Sequence, residues 1–401
     1  MQTIHTLSNG IRILHIHREL PVAYIGVAID VGTRDEQADE NGMAHFVEHM
    51  MFKGTKRRRP YQIINYLESV GGQMDAYTTK EDTYVYSVLP VEYSERAIEL
   101  MADLVLNSTF PESELEKERL VVLDEIDSYK DTPSELIFDE FDEKLFRGQS
   151  IGRPILGTEN SLESFDSARM KSFTDRCYTA NRILLFALGS MSEDWLVRKV
   201  EKYFSSASGW SSRATQSIIP FAFSHTVEKD TNQVHCIIGT STPQQVSPER
   251  YKMVLLNNIL GGPNMSSLLN MAVREKYGYC YTIESSLTGY TDTGVWTLYF
   301  GCDERNFEKA HRLSLKCLER ICENQLSDHA LAVAKRQLRG QVLISRQNVE
   351  SYILGISKTV LHNEPLRSSE DILAEIDTYT SESIMSTAQS MFSDLSTLIY
   401  K

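Results

Sequence analysis

Residues 43–52 read Met-Ala-His-Phe-Val-Glu-His-Met-Met-Phe, an apolar segment with three ionisable groups set inside it. Apolar residues on every side are the pattern of a buried helix, so the fold must build a core around this stretch. On a helix, positions i, i+3 and i+4 share one face, and His45, Glu48 and His49 project together. Burying such groups without compensation is strongly unfavourable. A divalent cation compensates them directly, with two imidazoles as ligands and a carboxylate free to act on water. The alternative is a pair of satisfied core histidines with a chance glutamate between them. The pattern favours a zinc site, one per chain.

The 401 residues exceed one ordinary core, which predicts two domains of about 200 residues each. A hydrophobic content of 41% with 24% charged residues is that of a soluble globular protein. A net charge of −14 argues against nucleic acid as a partner, because no excess of cations is available to neutralise phosphates. The basic run Lys56-Arg57-Arg58-Arg59 reads as a solvated loop, with peptide or partner contact as the lesser alternative. Six cysteines without a Cys-x-x-Cys pair read as buried, reduced thiols. The first residues carry no signal-like pattern and no long apolar span follows, so a cytoplasmic protein without a membrane partner is expected.

Along the chain, residues 3–31 predict a hairpin turning at Asn9-Gly10, followed by an apolar strand over 23–31. His15 and His17 fall on the polar side of the second strand and read as surface positions. Asn41-Gly42 starts the motif helix, Gly54 stops it, and Pro60 opens another that ends at Gly71-Gly72. Strands follow at 73–79 and 83–89, helices at 94–106 and 111–129, and a helix-rich stretch over 134–204. Residues 205–220, rich in Ser, Gly and Ala at their start, have the composition of a linker. Beyond it the order of elements repeats, with strands near 233–240, 280–287 and 295–302 among helices. The expectation is an α+β protein of two similar domains from an internal duplication, each a mixed sheet with helices packed on one side. The zinc-binding domain spans 1–204, and its homologue over 221–401 lacks the His-x-x-Glu-His motif.

Two histidines leave a catalytic zinc one protein ligand short. Glu118 and Glu125 lie seven apart on the helix predicted over 111–129, so both fall on one face. Glu112, Glu114, Glu116 and Asp124 share that segment, and spacing alone leaves a solvated acidic surface equally open. The motif order resembles the pitrilysin/insulinase family of inverted zinc metallopeptidases. The likeness extends through Gly42-Met43-Ala44, Met51-Phe52-Lys53-Gly54-Thr55, Val121-Val122-Leu123-Asp124-Glu125-Ile126 and Gly152-Arg153-Pro154-Ile155-Leu156-Gly157-Thr158. That resemblance implies Glu125 as third ligand and Glu118 as the acid supporting the site.

It also reaches the second half. Arg274-Glu275-Lys276-Tyr277-Gly278-Tyr279-Cys280-Tyr281 is similar to a segment of the mitochondrial-processing-peptidase-like branch, whose members have roughly this chain length. The resemblance implies that Arg274 and Tyr281 hold substrate opposite the zinc. Taken alone, they read as a surface residue and a strand residue. Gly72-Gln73-Met74-Asp75-Ala76-Tyr77-Thr78 resembles the family's substrate-binding edge strand, which implies peptide contacts at Asp75, Ala76 and Thr78. A purely structural strand is the alternative for Ala76 and Thr78. Asp75 stands where the family commonly has Asn, so an acceptor-only carboxylate replaces an amide.

The implied activity is a zinc metalloendopeptidase, with Glu48 as general base, hydrolysing peptides or unfolded segments inside a homodimeric chamber. The alternatives are a non-catalytic scaffold, a peptide-binding or chaperone-like relative, and an active subunit that needs a different partner chain.

Overall fold

The computed structural model describes residues 2–214 and 217–401; residues 215 and 216 of the expected linker lie outside the described residues. The chain forms two compact units. The first comprises Met1–Ser128, Arg153–Gln216 and Asn348–Leu366; the second comprises Tyr129–Gly152, Ser217–Gln347 and Arg367–Lys401. The expected division at 205–220 is therefore only one of the places where the chain changes unit. A segment from each half of the sequence belongs to the other half's unit.

The first unit's sheet holds β1 (Gln2–Thr6), β2 (Arg12–His17), β3 (Val22–Ile29), β4 (Gln73–Thr78), β5 (Thr83–Pro90) and β6 (Ile183–Gly189) in the order β1-β2-β6-β3-β5-β4. The second unit's sheet holds β7 (Ser224–Val227), β8 (Val234–Thr242), β9 (Thr282–Gly289), β10 (Gly294–Cys302) and β11 (Ser396–Tyr400) in the order β7-β11-β8-β10-β9. Matching β2-β6-β3-β5-β4 to β7-β11-β8-β10-β9 preserves the sense of every pairing. The first pair of each is parallel and the others antiparallel. The duplication read in the sequence is thus a duplication of topology, with β1 added to the first copy.

The expected α+β fold of two mixed sheets with helices is present, and the exchanged segments add a layer to it. In the first unit most helices share one core with Ile25, Val27, Leu185 and Ala187 of the sheet. The opposite face, with Leu14, Ile16, Leu184, Phe186 and Leu188, is covered by Ile353, Val360 and Leu361 of the helix Val349–Leu361. The second unit repeats this. Cys236, Ile238, Leu298 and Phe300 face its main helices, while Ile237, Tyr299, Leu398 and Tyr400 meet Ile137, Phe141 and Leu145 of the helix Pro133–Leu145.

Two sequence expectations are corrected by this layering. The stretch 134–204 contains the fully buried strand β6, whose residues alternate between the two cores. An apolar run with no polar face reads equally as buried helix or buried strand, which hid it. His15 is buried, not on the surface, and its Nε2 lies 3.0 Å from the carbonyl of Met191. The basic run is likewise more than a solvated loop. Arg58 donates to Asp103 at 2.7 Å and to both oxygens of Glu99 at 2.8 Å, and it stacks 4.2 Å from the ring centre of Tyr66. The six cysteines are free thiols, four of them buried. Among the described residues, no helix is long and apolar enough to cross a membrane.

Candidate metal centre and peptide cleft

The motif helix spans Met43–Met51, and all its residues except His49 are buried. Its start is built from two glycines. Gly42 has a φ of 91°, and a Cβ there would lie 2.8 Å from the Cα of Gly157. Gly157 has a φ of 77°, and its own Cβ would meet the carbonyl of Asn41 at 2.5 Å. Neither position accepts a side chain, which explains why glycine stands in both segments. Glu36, unnoticed in the sequence, caps the helix by accepting the N–H groups of Gly42 at 3.1 Å and Ala44 at 2.9 Å.

His45 and His49 pack ring against ring with centroids 4.5 Å apart. From the helix Glu112–Lys130, Glu125 brings Oε2 to 3.8 Å from His45 Nε2 and 3.7 Å from His49 Nε2. These separations are too long for hydrogen bonds. They approach the ~3.4 Å ligand-to-ligand edge of a tetrahedron with bonds of about 2.1 Å, so the three residues fit a zinc ion. Burial, and then the neighbouring His49, drive the His45 pKa down to about 3, which keeps that imidazole neutral with a lone pair available.

Glu118, two turns before Glu125, places Oε1 2.9 Å from His49 Nδ1 and Oε2 2.7 Å from Lys53 Nζ. A proton on Nδ1 leaves Nε2 as the ligand atom, turned to the side where Glu125 stands. Burial alone would raise the Glu118 carboxyl, but its bonds to His49 and Lys53 hold it below the ordinary value. Burial by itself would depress His49, and the Glu118 hydrogen bond with the surrounding carboxylates raises it instead.

Glu48 makes no ligand contact of this kind. It is buried, and Oε2 accepts the hydroxyl of Thr78 at 2.7 Å. Burial lifts its carboxyl above the usual range, with Thr78 and His49 partly opposing and Glu125 and Asp75 adding to the rise. Thr78 ends β4, the outer strand of its sheet, on which Asp75 and Ala76 also lie. A cleft of about 400 Å³ runs from Glu48, His49 and Glu118 past Phe52 and Leu67 to Met74, Asp75 and Ala76.

Eight of the ten expected site residues therefore meet within the first unit. Arg274 and Tyr281 do not join them there. Both belong to the second unit, Arg274 in the short π-helix Asn270–Glu275 and Tyr281 just before β9, with its hydroxyl 3.0 Å from Asp303.

Among the described residues a second trio, Asp30, Asp82 and His362, also has ligand-type atoms close together. Its charges are already met within the protein. His362 Nε2 lies 2.6 Å from Asp82, Lys358 lies 3.7 Å from Asp82, and Arg213 lies 2.9 Å from Asp30. Arg12 of β2 adds hydrogen bonds to the carbonyls of Val360 and Leu361 at 2.6 and 2.8 Å. This cluster is a strut that fastens the exchanged helix Val349–Leu361 to its sheet.

A two-histidine, one-carboxylate centre carried by two helices beside the outer strand of a duplicated α+β fold defines a class of metal-dependent hydrolase. Comparison with known proteins narrows the class. Residues 12–159 match the insulinase family (peptidase family M16), and residues 164–338 match the family's inactive domain. The match to an inactive domain agrees with the missing motif in the second half. The chain is 31% identical over 393 residues to the uncharacterized zinc protease YmxG of Bacillus subtilis, covering 97% of this chain and 95% of that one. It is 32% identical over 396 residues to an uncharacterized zinc protease of Rickettsia bellii, covering 98% and 96%. In fold it resembles a protease from Helicobacter pylori, with a TM-score of 0.93 at 18% identity and coverage of 100% and 99% of the two chains. The chain belongs to the insulinase family of peptidases.

Proposed function

We propose that this protein is a zinc metallopeptidase that hydrolyses peptides or unfolded polypeptide segments, with His45, His49 and Glu125 holding one zinc per chain. The observation that carries the reading is the convergence of these three ligand atoms, within 4.8 Å of one another, beside a buried carboxylate that is not a ligand. Zinc bound there supplies Lewis acidity toward a scissile carbonyl and toward the attacking water. Glu48 takes the water's proton on its carboxylate and returns it to the leaving amine, a task suited to a carboxyl whose pKa is raised. The Thr78 hydroxyl fixes the rotamer of that carboxylate. Glu118 sets the tautomer of His49. The free side of β4 offers main-chain groups to an extended peptide, which gives affinity with little dependence on side chains.

Arg274 and Tyr281 grip substrate at the zinc of a second protomer, so the working unit is a homodimer enclosing a chamber. This assignment rests on the family resemblance and on one chain carrying both residue sets. Six free thiols suit a reducing compartment, and we place the protein in the cytoplasm. A scaffold or binding-only relative has no use for a complete ligand set with its base, which disfavours those readings.

The test is Glu48→Gln. The variant should bind zinc like the wild type while losing about 10²–10⁴-fold in kcat on a quenched peptide. Chelator should abolish wild-type cleavage and zinc should restore it. Wild-type turnover in a clean Gln preparation removes Glu48 as the base.

A further inference from the structure

The helix Glu304–Glu323 buries Phe307, Ala310, Leu318 and Ile321 in the second unit's core. Its outward face carries Arg305, Lys309, Arg312, Lys316 and Arg320, all exposed. Intervals of four, three, four and four residues set them in one row about 22 Å long. Arg305 lies 3.3 Å from Asp303, and among the described residues the other four form no ion pair. Like charges three and four apart oppose the helix that carries them, so the row is a cost within the folded chain. It also stands out in a chain with a net charge of −14.

The helix Glu112–Lys130 carries a matching row. Glu116, Leu120, Asp124 and Asp127 are exposed along one face, with Asp131 just past the helix end. Taken from the C-terminal end, their intervals are four, three, four and four, those of the cationic row. Laid antiparallel, the two helices set Arg305 opposite Asp131, Lys309 opposite Asp127, Arg312 opposite Asp124 and Arg320 opposite Glu116. Lys316 then meets Leu120, where its methylene stem covers the leucine and its ammonium turns to water. Glu116 also pairs with Arg119 on its own helix, an exposed contact that is exchanged at little cost.

We propose that the cationic face of Glu304–Glu323 docks antiparallel on the acidic face of Glu112–Lys130 in a second copy of this chain. A two-fold axis repeats the contact, so each protomer offers both faces. This deepens the homodimer reading above and rests on it. What the two helices adjoin favours a second copy over a foreign acidic protein. Glu112–Lys130 holds Glu118 and Glu125 of the metal centre on another face. Lys309 Nζ lies 5.3 Å from the ring centre of Tyr279, within the segment that runs from Arg274 to Tyr281. Docking therefore brings the arginine–tyrosine segment of one protomer toward the zinc helix of the other. Glu304, Glu308, Glu319 and Glu323 leave the cationic helix nearly neutral as a whole. A lipid surface or a nucleic acid, which senses charge over a broad area, gains little there, whereas carboxylates in register meet the row alone.

The experiment measures the dimer dissociation constant of the zinc-loaded full chain by sedimentation, with circular dichroism and zinc content confirming that each variant is intact. Arg312→Asp and Asp124→Arg should each raise that constant about tenfold or more, because each acts at both contacts of the dimer. Combined in one chain, the two should return it to within about threefold of wild type. Arg320→Glu and Glu116→Arg should behave in the same way as a second matched pair. The mismatched combination Arg312→Asp with Glu116→Arg should stay weak, since it repels at two positions of the register. Raising the ionic strength from about 0.05 to about 0.5 M should weaken the wild-type dimer and leave the single variants less affected. A dimer indifferent to the single variants, or one not restored by either matched pair, overturns this docking while the homodimer reading stands. A wild type that cleaves peptides yet stays monomeric at every concentration removes the homodimer reading, and this contact with it. Binding of wild type but not Arg312→Asp to phosphatidylglycerol vesicles, with dimerisation unchanged, would assign the row to lipid and overturn the proposal.

Discussion

Removing Glu118 separates a residue that organises the metal centre from one that only packs beside it. Both of its oxygens are engaged, Oε1 with His49 Nδ1 at 2.9 Å and Oε2 with Lys53 Nζ at 2.7 Å. Glu118→Ala deletes the partner that fixes the imidazole and leaves the Lys53 ammonium uncompensated near a site meant for a dication. Glu118→Gln keeps an oxygen that can accept from His49 but loses the charge that held Lys53. Loss of such an outer partner weakens metal affinity by about 10–100-fold, or ~1.4–2.7 kcal/mol. The alanine variant should fall near the upper end and the glutamine variant near tenfold. The assay is competition for zinc against a chromophoric chelator, with circular dichroism confirming that each variant is folded. Peptidase activity titrated with zinc should recover at higher free metal for both variants, in the same order. A folded alanine variant with wild-type zinc affinity would refute the claim that Glu118 positions His49.

Thr78→Val should lower kcat by about tenfold with little change in KM or zinc content, because it removes one hydrogen bond to an ionised base; steady-state kinetics with metal analysis checks this. Burial alone would depress His362, but its bond to Asp82 and the charges of Asp82, Asp30 and Glu81 raise its pKa. Burial would raise Asp82, and His362, Lys358 and Arg213 lower it instead. The His362 contribution to stability is complete below its ordinary value of 6.5 and fades as pH rises through the raised value. The Asp82 contribution is complete above 3.8 and fades as pH falls through the lowered value. Urea unfolding should therefore show wild-type stability declining above pH 6.5 more steeply than in His362→Gln; parallel curves would remove the pair as a source of pH dependence. Mixing inactive Glu48→Gln and Arg274→Ala chains should restore about a quarter to a half of wild-type activity if substrate is gripped across a homodimer, since mixed dimers then regain one intact site. No recovery under conditions of proven subunit exchange would place both sets in one chain or the arginine outside the site.

Local sequence determined those features whose physical cause lies within a few residues. The helix carrying His45, Glu48 and His49 follows from its 3.6-residue period and from Gly42. The turn at Asn9-Gly10 and the strand at 73–78 follow from equally short patterns. Spacing brought Glu118 and Glu125 to one helix face but could not tell a ligand from a solvated carboxylate, because that depends on what stands opposite. Family likeness supplied their assignment, and the approach of Glu125 to both imidazoles supplies its geometry. Other features were decided by tertiary contact alone. Arg58 finds Glu99 and Asp103 more than 40 residues away, so a run of cations gave no sign of its half-buried, paired member. The pairing of Asp82 with His362 joins residues from opposite halves of the chain. The exchanged helices Pro133–Leu145 and Val349–Leu361 carry ordinary apolar faces, and nothing within them names the sheet they cover. Hydrophobic periodicity specifies that a face must be buried; only closure of the whole chain specifies against which sheet.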